Sequence, residues 1–276
     1  MSIKYAYLGP AGTFTEAALQ KITTPSDQLI AYANVTAALD AVRNGECQKA
    51  LVPIENSVEG VVARTLDELA IGQPLVITAE TTLPVSFSLM TLSNTNSLEI
   101  KSIATHPHAE SQCRSFIAKN YPNAQVIESS STAAAAKGLS KGDYDAAIAG
   151  SNAAKNYDLK IIAENIGDNP SAVTRFVLVE KPGNQPKATG KDRTSLAVFI
   201  ALDHAGALLE ILNEFAKHQV NLTFIQSRPT GSQLGHYHFI IDAEGHIEDK
   251  PISAALAGLK EICEDIRFLG TYQRNV

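Results

Sequence analysis

Up to about residue 180, short apolar, β-branched runs alternate with stretches whose apolar positions recur at helical spacing. The runs Ile3–Leu8, Leu29–Ala33, Ala50–Ile54, Ile100–Thr105, Gln125–Glu128 and Ala146–Ala149 predict strands. The periodic stretches Phe14–Lys21, Val35–Arg43, Val58–Ala70, Pro107–Lys119 and Thr132–Leu139 predict the helices between them. Such alternation predicts an α/β layer structure with mainly parallel strands, whose ligands bind at the carboxyl ends of the strands. Leu75–Leu92 (LVITAETTLPVSFSLMTL) is extended throughout, broken by Pro84 and too long for one strand. It is expected to cross between two subdomains, with a last strand through Phe176 returning to the first.

The pattern changes after Lys181–Arg193 (KPGNQPKATGKDR), where two prolines, two glycines and four basic residues carry no apolar periodicity and read as a linker. Beyond it, Ser195–Leu202 predicts a strand, Ala207–His218 a helix, Asn221–Arg228 and His236–Ile241 a strand pair turning through Pro229-Thr230-Gly231, Ile252–Cys263 a helix and Asp265–Leu269 a strand. Leu208, Leu212 and Phe215 are expected to share one helical face, and Ile252, Leu256, Leu259 and Ile262 another, each covering a sheet. This βαββαβ order is ferredoxin-like, and a four-stranded sheet covered on one face predicts association through its open edges.

A length of 276 residues fits two cores, and 45% hydrophobic with 19% charged residues describes a soluble globular chain. No apolar stretch approaches a membrane span, and Met1–Leu8 has no signal-peptide pattern, so a cytoplasmic protein is expected. Cys47, Cys113 and Cys263 are far apart and odd in number, which predicts buried free thiols rather than disulfides or a zinc site. The net charge of −6, with no basic block carrying interleaved aromatics, disfavours nucleic acid as a partner. It also means that an anionic ligand needs local backbone N–H groups, helix N-termini and a few arginines.

Four segments place polar groups where strands end. Thr13 and Glu16 follow the turn Gly9-Pro10-Ala11-Gly12 at capping-box spacing, and a Gly-containing turn entering a helix serves equally as a cap or an anion site. Pro53-Ile54-Glu55-Asn56-Ser57 supplies a carboxylate, an amide and a hydroxyl, more than a helix cap requires. Thr105-His106-Pro107-His108 opens a helix, with Gln112 facing either solvent or a cleft; its two histidines lack a third ligand at zinc spacing, so no metal is expected. Thr174-Arg175-Phe176 sets a hydroxyl beside a guanidinium at a strand start, either as ordinary edge residues or as anion contacts.

In order, these segments resemble the four catalytic-domain motifs of the prephenate dehydratase family, and the likeness covers essentially the whole chain. The segment after the linker is similar to the ACT regulatory module, with Gly206-Ala207-Leu208 and Gln226-Ser227-Arg228-Pro229 in place of its effector motifs. The resemblance implies an α/β fold: a two-lobed, periplasmic-binding-protein-like (type II) catalytic domain plus a ferredoxin-like βαββαβ ACT domain. It implies a catalytic domain over 1–181 (subdomains roughly 1–78 with 163–181, and 79–162), a linker over 182–193 and an ACT domain over 194–276. No chorismate mutase helices precede residue 1, which suggests the monofunctional form.

The implied reaction turns prephenate into phenylpyruvate, CO2 and water without a cofactor. Arg175 is expected to hold a substrate carboxylate and Thr174 to act on the departing hydroxyl, with Asn56, Gln112 and Glu55 assisting; whether Thr174 or Glu55 supplies the proton is open. Thr13, Ser57, Thr105, His106 and Phe176 complete the expected substrate site. L-Phenylalanine is the implied effector, at Gly206, Ala207, Leu208, Asn221, Leu222, Gln226, Ser227, Arg228 and Pro229, in a homodimer or homotetramer formed through the ACT domains. Two positions depart from the family: Gln226 stands where glutamate is usual and Ala205 where proline often precedes the glycine. Two other readings are an arogenate dehydratase and a non-catalytic two-lobed solute-binding protein.

Overall fold

The computed structural model describes residues 2–93, 100–183, 185–200, 204–230 and 237–275. Two compact units share the chain: Met1–Ala38, Leu51–Val62 and Thr82–Phe176 in the first, and Leu39–Ala50, Ala63–Thr81 and Val177–Val276 in the second. Elements run β1 (Lys4–Leu8), α1 (Phe14–Gln20), β2 (Gln28–Tyr32), α2 (Val35–Arg43), β3 (Lys49–Asn56), β4 (Gly60–Val61), α3 (Ala63–Ala70) and β5 (Val76–Pro84). There follow β6 (Ser88–Thr91), β7 (Ser102–Thr105), α4 (Pro107–Gln112), α5 (Arg114–Asn120), β8 (Gln125–Glu128), α6 (Thr132–Leu139), β9 (Ala146–Ala149), α7 (Ser151–Tyr157), β10 (Lys160–Ala163) and β11 (Val173–Glu180).

One sheet has the order β2-β1-β3-β11-β5, with β4 paired to β3, and a second has the order β10-β6-β9-β7-β8. Parallel pairing joins β1 to β2 and β7 to both β8 and β9. The expectation of mainly parallel strands needs correcting in the second sheet, where β6 pairs antiparallel with both β9 and β10. Pro84 ends β5 in the first sheet and Ser88 opens β6 in the second, so the long extended stretch is two strands in two sheets. β11 returns to lie between β3 and β5. In the second sheet Phe87, Leu89, Ile103, Cys113 and Ile148 fill one core, and small residues of α6 and α7, among them Ala135, Ala136 and Ala153, pack in another. Each fully buried Leu, Ile or Phe side chain contributes about 1.5–3 kcal/mol.

Three local expectations fail for physical reasons. The helix expected over Val58–Ala70 begins only at Ala63. Asn56 Oδ1 accepts the N–H groups of Val58 (2.8 Å) and Glu59 (3.0 Å), and Gly60 takes φ +82°, which closes a tight turn into β4 instead. The helix expected over Pro107–Lys119 breaks at Cys113 (φ −120°, ψ 14°), because the carbonyl of Gln112 accepts Asp168 N at 2.6 Å. Helix α7 and strand β10 fall where the sequence predicts no element, and in α7 four polar residues dilute the apolar period of SNAAKNY.

The second unit contains β12 (Asp192–Ile200), α8 (Ala207–Lys217), β13 (Leu222–Pro229), β14 (Tyr237–Glu244), α9 (Lys250–Ile262) and β15 (Cys263–Gln273). Their antiparallel sheet has the order β13-β14-β12-β15, the ferredoxin-like arrangement. Strand β12 begins at Asp192, ahead of the expected end of the linker, and β15 runs past Leu269 to Gln273. The expected strand end at Leu202, the strand start at His236 and the turn at Gly231 lie outside the described residues.

Helix α8 covers the sheet with Ala207, Ile211 and Phe215. Leu208, assigned above to that face, is 37% exposed, because the burying stripe runs at i, i+4 and i+8 from Ala207. Cys47 and Cys113 are buried, whereas Cys263, expected to be, is only half-buried. Burial pushes the Cys113 thiol up to about 12 and that of Cys263 to about 11, so both stay protonated. In the same unit α3 is tied to the ferredoxin-like sheet: Arg228 of β13 makes a two-pronged ion pair with Asp67 (2.8 and 2.7 Å), and Arg267 of β15 donates to Gly72 O at 2.6 Å.

Candidate functional site

Within the first unit, strand ends and helix starts surround a cavity of about 580 Å³. Thr174, on β11, is 8% exposed, and its side chain lines the cavity together with that of Phe176. Successive side chains on a strand point to opposite faces, and Arg175, between them, is not among the lining residues. It is 9% exposed, with Nη1 3.8 Å from Glu55 Oε2.

Thr174 Oγ1 accepts Asn56 Nδ2 at 2.8 Å. The direction of that amide is unambiguous, because Asn56 Oδ1 is already engaged by two backbone donors of the turn. The Thr174 hydroxyl accepts this one bond and, among the described residues, donates none, so its proton is available to a ligand.

Thr13 is the N-cap of α1, accepting Glu16 N at 3.3 Å and donating to Leu8 O at 3.0 Å. The reciprocal half of the expected capping box is displaced by one residue: Glu16 Oε2 accepts Gly12 N at 2.6 Å, and its other oxygen takes the Tyr7 hydroxyl at 3.0 Å. Burial and then the Glu16 charge push the Tyr7 phenol above its ordinary range, so it remains a donor. Gly12 has φ +87°, and a Cβ there would stand 3.2 Å from Ala153 and Tyr157. That close approach lets Tyr157 donate to Ala11 O (2.7 Å) and Asn152 to Thr13 O (3.0 Å).

His106 caps α4 by accepting His108 N on Nδ1 at 3.2 Å, leaving Nε2–H as a donor in the cavity wall. Burial, and then the neighbouring His108, lower its pKa, which keeps it neutral at pH 7. Gln112 is 7% exposed and donates Nε2 to Glu59 Oε1 at 2.8 Å; the other oxygen of Glu59 is 3.7 Å from His108 Nδ1.

Of the expected catalytic and substrate residues, the cavity wall thus brings together Thr13, Asn56, His106, Gln112, Thr174 and Phe176. Glu55, Ser57, Thr105 and Arg175 are not among its lining residues. Ser57 exchanges two hydrogen bonds with Val173, both at 2.9 Å, splicing β3 to β11. Thr105, 1% exposed, donates to Ile148 O at 2.8 Å.

Several lining residues were missed. Glu59 falls inside the helix expected from Val58, and in sequence His108 reads only as half of an incomplete metal pair. Ser131, the N-cap of α6 that accepts Ala134 N at 3.0 Å, stands in a Ser-Ser-Ser-Thr run whose capping character was legible. Among the described residues the lining holds no Lys or Arg. The N-terminal turns of α1, α4 and α6, whose unpaired N–H groups carry partial positive charge, all reach the wall, while Phe14 and Phe87, edge-to-face at 5.6 Å, add apolar surface.

In the second unit, Gly206 precedes α8 with φ +100° and Ala207 is buried behind it. Asn221 is exposed ahead of β13, and its carbonyl accepts Glu244 N at 2.9 Å. Along the edge strand β13, Leu222, Gln226 and Arg228 are half-buried while Ser227 and Pro229 are exposed. Gln226 Nε2 donates to Ser227 O at 3.0 Å, and Arg228 is committed to Asp67.

The chain matches two family models, one described as prephenate dehydratase over residues 5–184 and one described as ACT domain over residues 194–261. A curated prephenate dehydratase of Amycolatopsis methanolica is 45% identical over 272 residues, spanning 98% of this chain and 88% of that protein. The crystal structure of a prephenate dehydratase from Arthrobacter aurescens in complex with L-Phe aligns with a TM-score of 0.93 at 49% identity, covering 99% of this chain and 90% of the other. That of the Staphylococcus aureus prephenate dehydratase aligns at 0.84 with 27% identity, covering 98% of this chain and all 100% of its own.

Proposed function

The chain belongs to the prephenate dehydratase family, and from that premise we infer that it converts prephenate to phenylpyruvate, carbon dioxide and water under feedback control by L-phenylalanine at its ACT domain. The observation that carries the catalytic reading is the Thr174 hydroxyl, held by Asn56 in the wall of a mostly apolar cavity with its proton, among the described residues, undonated.

Loss of the ring carboxylate as CO2 pushes its electron pair into the ring, the C–O bond on the opposite carbon breaks, and the departing hydroxide takes up a proton to leave as water. Aromatisation drives the step, so the protein has to orient the substrate and stabilise charge on the leaving oxygen. A donor such as Thr174 is worth about 10²–10³ in rate. Orientation in the cavity supplies much of the rest.

The substrate dianion is received by the amides of the α1, α4 and α6 N-termini and by the neutral Nε2–H of His106. Arg175 and Glu55 contribute from behind the wall, Arg175 as a buried positive charge adjoining Thr174 in sequence. Glu55 does not act on the substrate directly in this reading, because its side chain lies outside the lining, 3.8 Å from Arg175.

The bound L-Phe of the Arthrobacter aurescens protein supports the same effector for this chain. The effector site is assigned to the Gly206–Leu208 helix start and to Asn221, Leu222 and Gln226–Pro229 on β13. The same reading assigns residues 1–181 to catalysis and 194–276 to regulation, pairs the ACT sheets through their open edges into a homodimer or homotetramer, and locates the protein in the cytoplasm. Incubation with prephenate, followed by phenylpyruvate absorbance with and without L-phenylalanine, tests the activity and its control together. Faster turnover of arogenate would move the assignment to the amino substrate, and binding without product would make the protein a receptor.

A further inference from the structure

Glu59, which none of the four motifs contains, orients both amides of the cavity wall. Its N–H donates to Asn56 Oδ1 at 3.0 Å, helping to turn the Asn56 NH2 toward Thr174. Its carboxylate Oε1 accepts Gln112 Nε2 at 2.8 Å. A carboxylate only accepts, so the NH2 end of Gln112 has to face Glu59 and Oε1 is the atom left over. The backbone carbonyl of Gln112 is taken by Asp168 N, its side chain lies in the cavity wall, and among the described residues nothing donates to its Oε1. The two amides are thereby turned opposite ways: Asn56 gives its donor to Thr174, and Gln112 keeps an acceptor.

We propose that Glu59 is a positioning residue for the dehydration step, locking Gln112 so that its side-chain oxygen accepts from the substrate hydroxyl while Thr174 donates to it. The inference rests on the dehydratase reading of the cavity. An alcohol is both donor and acceptor, and this arrangement offers one partner for each. Before reaction the hydroxyl hydrogen points to Gln112, which directs an oxygen lone pair at the Thr174 proton. As the C–O bond breaks, its electron pair goes to that oxygen, the Thr174 hydrogen bond strengthens on the departing hydroxide, and a proton taken from solvent completes water, which still has a hydrogen for Gln112. A reversed Gln112 amide would set N–H against O–H and lose this alignment. Among the described residues, only the charge-assisted bond that Gln112 donates to Glu59 distinguishes the two orientations.

The test compares wild type, Glu59→Gln, Gln112→Ala and the double variant with prephenate as substrate. Glu59→Gln keeps the size of the side chain but offers either end of an amide, so Gln112 is no longer held one way. The expected result is a fall in kcat of about tenfold, the scale of one misdirected hydrogen bond, with KM changed by less than about threefold. The double variant should be no slower than Gln112→Ala alone, because Glu59 acts through that side chain. Glu59→Asp, which withdraws the carboxylate by one methylene, should show the same kcat loss and carries the test if the glutamine variant does not fold. Wild-type kcat in the folded variant, a loss confined to KM, or losses that multiply in the double variant would each overturn the proposal. A wild-type protein that fails to turn over prephenate would instead remove the functional reading beneath it.

Discussion

Thr174 and Arg175 show how far a dipeptide can be read. Their chemistry is visible in the sequence, and the two-residue period of a strand sends the two neighbours to opposite faces. Thr174 therefore meets the cavity and Arg175 meets Glu55. Thr174→Ala is expected to lower kcat by about 10²–10³ with KM nearly unchanged, because its hydrogen bond matters most as charge develops on the leaving oxygen. Steady-state kinetics on prephenate check this, and a fully active alanine variant would refute the role. Asn56→Ala should lower kcat by about tenfold through loss of the bond that orients Thr174. Because it acts through the same hydroxyl, adding it to Thr174→Ala should cost little more. Glu59, by contrast, could not be assigned from sequence alone, since its place depends on a turn that periodicity disguised as a helix start.

That turn belongs to the scale of elements. The apolar residues Val58, Val61 and Val62 run into the genuine stripe of α3, so the period extends backward over a segment that Asn56 and Gly60 fold differently. Local side-chain capping overrode the pattern, and the cavity gained Glu59 as a result. Element junctions also connect the two proposed domains within the second unit, where Arg228 on the edge strand β13 grips Asp67 on α3 with both prongs. Helix α3 follows directly on β4 and the turn that carries Asn56 and Glu59, so if the proposed effector site on β13 is correct, a change there has a covalent route back to the cavity. Asp67→Asn is expected to weaken inhibition by L-phenylalanine at least about fivefold, the lower end of usual allosteric couplings, while phenylalanine still binds. Calorimetric titration of the amino acid alongside inhibition curves separates the two effects. Unchanged inhibition in this variant would mean that the ion pair merely anchors α3.

At the scale of the molecule, alternation marked the α/β part and the βαββαβ order marked the ferredoxin-like sheet, because both follow from local periods. The antiparallel placement of β6 and β10 was not legible, since pairing partners distant in sequence leave no trace in either strand's own period. Nor was the burial of His238, at 0% exposure, with neither ring nitrogen hydrogen-bonded among the described residues and its ring stacked 5.0 Å from that of Phe199. Burial, with the nearby Arg228 charge adding to it, depresses the pKa of this imidazole against the opposing pull of Asp67. His106 is depressed as well, by burial and then by His108, and protonating it would cost the cap of α4. Both groups remain neutral in the folded chain at pH values where an unfolded histidine, with a pKa of about 6.5, takes up a proton. The unfolded state then binds more protons, so stability rises with pH across this range and falls as pH drops below about 6.5. The loss continues until each folded-state pKa is reached. His238→Phe keeps the stacked ring, removes two unpartnered nitrogens and abolishes one of the two linked protonations. Its melting temperature should therefore exceed that of wild type by more at pH 5 than at pH 8, as thermal unfolding at the two pH values would measure. An equal difference at both would show that His238 does not titrate between the two states.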